Sequence, residues 1–189
     1  MCVMDAAVKE AAVSRFLREH PQMERAACDH PALLGCTDVD WSQIPGCPAG
    51  IPVLLRSLLD ETAGPAALPV LENVLMNSVF HVSAVMPAVL PFLIRLAAVP
   101  GIAVRSDLVE LLVLAADLSL PVNGDDERQV MMFGNDCDHP ERDWCRAAFA
   151  AHASDLRTLL EEGSLPDELI SVDDRECLLR AVEPQRCPS

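Results

Sequence analysis

Tyrosine is missing from the 189 residues, and aromatics make up only 4% of a chain that is 51% hydrophobic. The core must therefore be built from Leu, Val, Ala and Met. Such side chains suit closely packed helices, whereas sandwiches draw on aromatic and β-branched residues. Glycine is scarce, at 8 residues, which leaves little material for many tight β-hairpins. Lysine is reduced to Lys9, and arginine supplies the other positive charges, a bias read as compositional rather than functional. No hydrophobic run is long enough to cross a bilayer: the most apolar stretch, 79–104, is interrupted by His81, Pro87, Pro91, Arg95 and Pro100. It reads as buried helix.

Positive charge is also in deficit. Against 29 acidic residues stand 14 basic ones, a net charge of −15. Such a chain repels phosphate backbones and has no basic stripe, so no nucleic-acid partner is expected. The charge suits a basic protein partner, or simply keeps a hydrophobic chain soluble. None of the eight cysteines forms a Cys-x-x-Cys pair. Residues 1–12 carry acids and a lysine where a signal peptide needs an apolar core. The expectation is a cytoplasmic protein with reduced thiols.

What the chain does contain is a repeat. Ile51-Pro52-Val53-Leu54-Leu55-Arg56 is matched by Leu90-Pro91-Phe92-Leu93-Ile94-Arg95, 39 residues on. A third, partial copy follows, in which Leu156-Arg157-Thr158-Leu159-Leu160 echoes Leu55-Arg56-Ser57-Leu58-Leu59. Self-similarity near 40 residues is the spacing of two-helix solenoid repeats. The expected fold is all-α: a superhelix of about three helical hairpins in one domain, with an N-terminal capping helix.

Residues 1–50 give the cap, a helix over 4–20 ended by His20-Pro21, and then an irregular stretch with Trp41 anchored on the first hairpin. Residues 51–118 hold two core repeats. In the first, Ile51, Leu54, Leu55, Leu58 and Leu59 line one helical face, residues 60–64 turn, and a second helix spans 65–77. A corner at 78–84 leads to a helix over 85–99, which Pro91 should kink or split. Its partner spans 104–118, with Ser106 or Asp107 as cap. Residues 119–140 read as an insertion loop, functional or disordered at that length, with Asp125-Asp126-Glu127 a solvated run. Residues 141–183 form a third, divergent repeat: one long helix over 141–162 carrying Trp144, a connector, and a short helix over 173–182. Residues 184–189 are a tail.

The stretch Met76-Asn77-Ser78-Val79-Phe80-His81, continued by Val89-Leu90-Pro91-Phe92-Leu93, resembles a group of bacterial HEAT-repeat proteins of the armadillo-like kind. In that group a corner of the form Gly-Asn-Ile-Phe-His-Gln-Gly-Thr-x-Tyr precedes a Pro-Phe-Leu run. Phe80, His81, Ala88, Pro91, Phe92 and Leu93 agree with it; Val82, Ser83 and Ala84 stand in place of Gln-Gly-Thr, and Met86 in place of Tyr. The likeness covers roughly 41–118, with Asp143-Trp144-Cys145-Arg146 beyond. It implies a HEAT-like scaffold that binds macromolecules, in some cases as a toxin-neutralising partner, and it assigns no reaction.

Two single residues stand out. His81 lies in an apolar corner and titrates near neutrality. It reads as a ligand-binding group or base, or, more plainly, as a ring bonded to backbone groups left free at helix ends. No Ser, Cys or carboxylate nearby in sequence completes a catalytic set for it. Asp117, on an apolar helix, is a buried acid of raised pKa or an outward-facing carboxylate, the second being the simpler. Cys137, His139, Cys145 and His152 make the only metal-like grouping, but they lack the tight knuckle spacing of structural zinc; no metal or other cofactor is expected. If the second helix of each hairpin lines a concave face, its polar residues form an acidic groove: Glu72 and Asn73, then Asp107, Glu110 and Asp117, then Asp173, Asp174 and Glu176. Trp144 joins these as a binding candidate. The expected function is non-enzymatic recognition of a basic protein by this acidic face, as in immunity or antitoxin proteins. The alternative is a small-molecule-binding protein or enzyme whose pocket between repeats holds His81 and Asp117 under the 119–140 segment.

Overall fold

The structure is a computed structural model, and it describes residues 5–25, 29–161, 165 and 169–183. Residues 1–4, part of the 166–171 connector, the tail, and Cys2, Cys28 and Cys187 lie outside the described residues. Helix dominates. In chain order the elements are α1 (Ala6–Glu19), α2 (Gln22–Arg25), 3₁₀ turns at Pro31–Leu33 and Trp41–Gln43, α3 (Ile51–Ser57), α4 (Gly64–Leu75), β1 (Met76–Ser78) and β2 (His81–Val82). Then come α5 (Met86–Ala97), α6 (Arg105–Leu118), α7 (Glu127–Phe133), a 3₁₀ turn at Asp136–Asp138, α8 (Pro140–Ala151), α9 (Ala153–Leu160) and α10 (Val172–Ala181). No helix among the described residues is long and apolar enough to cross a membrane.

The two expected helix pairs form. α3 packs on α4 and α5 on α6. α5 is apolar apart from Arg95: Met86, Val89, Leu90, Phe92, Leu93, Ile94, Leu96 and Ala97 are buried, and Pro87, Ala88, Pro91 and Arg95 are half-buried. So wide an apolar surface needs several neighbours, and α5 meets α6, α8, α9 and the turn at Pro31–Leu33. α6 shows the complementary pattern: Leu108, Leu111, Leu112 and Ala115 face the core, while Asp107, Glu110 and Asp117 face out. α10 packs against α6, and α1 against α4.

α1 is tied down by the lone lysine. Lys9 is only 3% exposed; its Nζ donates to the Val74 carbonyl at 2.9 Å and to Asn77 Oδ1 at 2.7 Å. Lys9 is thus a structural residue, not a mere compositional remnant. Gly50 admits the same helix, since a Cβ there would sit 2.4 Å from Val13 Cγ1. The arginines matched between the first two copies act alike. Arg56 donates to the Met23 carbonyl, and Arg95 to the Leu34 carbonyl at 3.0 Å, so each holds the segment that precedes the repeats. Arg157 of the partial third copy is exposed instead.

Several sequence expectations are corrected. The 78–84 corner contains the second strand of an antiparallel ribbon, β1–β2, pairing Met76 with Val82 and Ser78 with His81; Met76 and Asn77 therefore leave the helix. Gly64 begins α4 rather than closing a turn, lying where a Cβ would press on the Leu58 carbonyl at 3.2 Å. Pro91 does not split α5, and Pro69 also sits inside α4. Each removes one bond, to the carbonyl of a residue four earlier that is itself a first-turn proline, Pro65 or Pro87. Ser106 and Asp107 do not cap α6; Val104 holds that position without a side-chain bond, and Asp107 lies in the first turn, where its charge suits the dipole. Trp41 packs beside Phe92 of α5, ring centres 6.0 Å apart, and donates Nε1–H to the Cys36 carbonyl. The anchor is therefore on the second pair.

The insertion is ordered. Asp126 accepts hydrogen bonds from the N–H groups of Arg128 and Gln129 and so starts α7, which Gly134 (φ 71°) ends. Asp126 is a cap, not part of a merely solvated run. The long helix over 141–162 is two helices, α8 and α9, broken at His152. A straight rod of that length would run about 33 Å, against about 18 Å for α5; the break lets both halves reach α5.

Candidate functional site

The outward-facing carboxylates of α4, α6 and α10 fall into one connected cluster. Glu72, on α4, has its carboxyl pushed above the usual range, first by burial and then by the charges of Asp107 and Glu110 on α6. Between α6 and α10 opens a cleft of about 380 Å³ whose walls include Glu110, Asp117, Asp173 and Asp174. Glu110 belongs to both groups. The floor is apolar, with Val109, Val113, Leu114 and Leu169, and one cation, Arg180, stands at the wall. Cys177, also in the wall, is a poor nucleophile: burial and the Asp117 charge push its thiol up. A surface of this make suits a long cationic side chain, with its methylene stem on the floor and its charge among the carboxylates.

Not every predicted groove residue joins in. Asn73 opens instead on a small cleft of about 210 Å³ between α1 and α4, beside Arg15 and Glu19. Glu176 is exposed and is not in the cleft wall. Trp144 is half exposed on α8 and lines neither cleft. Asp117 is exposed, so the buried-acid reading falls.

His81 sits at the start of β2, under the insertion. The Ser78 hydroxyl lies 2.7 Å from its Nδ1, and Nε2 lies 3.1 Å from the Phe133 carbonyl at the end of α7. A carbonyl can only accept, so Nε2 carries the hydrogen and Nδ1 accepts from Ser78. The plainer sequence reading therefore describes the ring: it satisfies a carbonyl left free at a helix end. Ser78, three residues back, is brought to the ring by the β1–β2 pairing. The His139 ring lies 4.3 Å away, close against Gly134, and Arg142 donates to the same Phe133 carbonyl and to Asp136 at 2.9 Å. Burial lowers the His81 pKa; His139 and then Arg142 add to this, against the Phe133 carbonyl, which raises it. Phe133 was missed in the sequence because its partner, His81, lies far back along the chain; Asp136 and Arg142 are close in sequence, but Arg142 in an amphipathic helix gave no sign that it would be only 2% exposed.

Asp117 does not meet His81. It shares a cavity of about 230 Å³ with Phe133 and Arg142, whose walls do not include His81. The four metal-like residues do not converge. Cys145 is fully buried with its thiol pushed up to about 12, His139 Nδ1 is 2.9 Å from Glu141, and His152 Nδ1 is 3.3 Å from Asp155. Among the described residues no three His, Cys, Asp or Glu side chains are placed to hold an ion.

No known protein family, curated protein or solved structure matches the chain.

Proposed function

We propose that the protein is a non-enzymatic binding module that receives a basic protein segment on the face made by α4, α6 and α10. Its helix pairs stack in a HEAT-like solenoid, with these three helices on one side. The observation that carries the reading is the cleft of about 380 Å³, where Glu110, Asp117, Asp173 and Asp174 ring an apolar floor. Asp107, in the first turn of α6, and Glu72, on α4, extend the same acidic field. Like charges held together cost stability, and a cationic partner relieves that cost as it binds. Masking a basic effector, as an immunity or antitoxin protein does, is the biological use that fits. The module would work in the cytoplasm, where a basic effector acts on its host.

The alternative is an enzyme or small-molecule site that combines His81 with Asp117. It has the Ser78–His81 contact in its favour. Against it stand the exposure of Asp117 and the Phe133 carbonyl that occupies the second ring nitrogen.

The test is fluorescence anisotropy with a labelled peptide of alternating Arg and Leu. Glu110→Arg and Asp117→Arg should each weaken binding by about tenfold, a loss of about 1.4 kcal/mol. Wild-type affinity should fall steeply with added salt. Unchanged affinity in both variants would sink the proposal. So would an equal loss on reversing Asp125, since that would mean that general acidity, and not this cleft, attracts the peptide.

A further inference from the structure

A further cleft, of about 590 Å³ and open to solvent, lies between the Pro31–Leu33 turn, α5 and α9, and none of the residues in it was singled out for binding from the sequence. Its walls are mainly apolar, with Ile94, Ala98, Val99 and Leu159, and they carry three ionisable groups: Arg95, His30 and Asp155. Both the volume and the mixture of a greasy wall with a few polar groups are those of a small-molecule site.

The polar groups are held in place. Arg95 donates Nε–H to the Pro91 carbonyl at 3.0 Å and an Nη1 hydrogen to the Leu34 carbonyl at 3.0 Å, and its guanidinium lies 4.9 Å over the Phe92 ring. A guanidinium has five N–H donors, so three remain for a ligand. His30 accepts the Ala32 N–H on Nδ1 at 3.2 Å, which leaves the hydrogen of the neutral ring on Nε2. From α9, Asp155 brings a carboxylate, with the Thr158 hydroxyl one turn further on. The cation and the anion come from different helices and line one apolar space.

We infer that this cavity binds a small zwitterion with an apolar body: a free apolar amino acid or a short apolar peptide. The ligand carboxylate meets Arg95 and His30, its ammonium meets Asp155, and its side chain packs on Ile94, Val99 and Leu159. The net charge of −15 decides between ligand classes. A simple anion would approach against the field of the whole molecule, and a simple cation would leave Arg95 unmatched. A zwitterion brings no net charge and pairs both ends. This site shares no residue with the acidic cleft and stands independently of the proposed protein partner.

The experiment is NMR titration of the isotope-labelled full chain with phenylalanine, leucine and the dipeptide Leu-Leu, beside N-acetylphenylalanine and phenylalaninamide. At least one zwitterionic probe should shift amides of α5 and α9 saturably, and the two blocked forms should bind about tenfold more weakly. Asp155→Asn, on an exposed carboxylate, should weaken phenylalanine by about tenfold and leave N-acetylphenylalanine unchanged. Arg95→Gln should weaken both, with its folding checked by the dispersion of the same spectra; should that variant unfold, the Asp155 result decides alone. The inference is overturned if no probe binds up to about 10 mM, a ceiling of roughly −3 kcal/mol. It is equally overturned if the blocked forms bind as well as the free ones, or if Asp155→Asn changes nothing.

Discussion

His81 carries a clear consequence for pH. Its ring is neutral in the fold, donating from Nε2 to Phe133 and accepting on Nδ1 from Ser78. Burial, His139 and Arg142 together lower its pKa in the fold. The unfolded chain therefore takes up a proton first as pH falls, from about pH 6.5. Stability from this residue is full above that pH and is lost as the pH falls toward the folded value. Gln in place of His81 keeps a donor toward Phe133 and does not titrate. Urea midpoints measured from pH 7.5 to 5 should fall more steeply for the wild type than for His81→Gln; parallel curves would contradict the assignment. Ser78 was visible in the sequence three residues from His81, yet only the strand pairing made it a partner. Lys9 was legible as the sole lysine and not as a buried anchor, because its acceptors, Val74 and Asn77, lie beyond sixty intervening residues.

Among the elements, α7 stands apart. It is seven residues long and buries none of them. A helix so short is marginal on its own, so its start rests on the Asp126 cap and its end on the contacts to His81 and Arg142. Asp126→Ala should cost about 1 kcal/mol locally. Hydrogen exchange at 127–133 should quicken by about fivefold while α5 amides keep their protection. Unaltered exchange in α7 would show that the cap does not hold it. The same helix shows what a period-based reading overlooks. Residues 119–140 contain Asn, Gly and Asp in the density of a loop, and the apolar residues of α7, Val130 to Phe133, run together rather than at helical spacing; the signal for a helix was the cap at Asp126. α5 was the opposite case. Its Leu90–Arg95 run was read at once, but Pro91 argued for a break. The helix survives it because only one backbone bond is forgone there, and the burial of eight apolar side chains outweighs that loss.

Charge acts over the whole molecule. The 29 acidic residues are spread along the chain, but packing gathers a share of them onto α4, α6 and α10. Glu72 registers the result, with its carboxyl pushed up by burial and by Asp107 and Glu110. An acid with a raised folded pKa stabilises the fold fully below about pH 4.5, its unfolded value, and this is lost as pH rises through the folded one. Glu72→Gln should therefore raise the melting temperature at pH 7 by about 2 °C, for a relief under about 1 kcal/mol. The gain should vanish below about pH 4.5. A variant that melts at the wild-type temperature at pH 7 would mean that the three carboxylates do not repel one another.

Helical content, the two helix pairs over 51–118 and the outward side of α6 were determined by the sequence by itself. Those follow from local periodicity and from the poverty in aromatics and glycine, which act within a few residues along the chain. Tertiary structure alone decided that Glu110 would serve both halves of an acidic cluster, that Asn73 and Trp144 would leave it, that His81 would clasp the insertion, and that Arg95 and Asp155 would line one cleft. Each of these depends on how far apart two helices lie and at what angle. Such distances are set by the mutual fit of buried side chains from distant parts of the chain, and no local pattern encodes them.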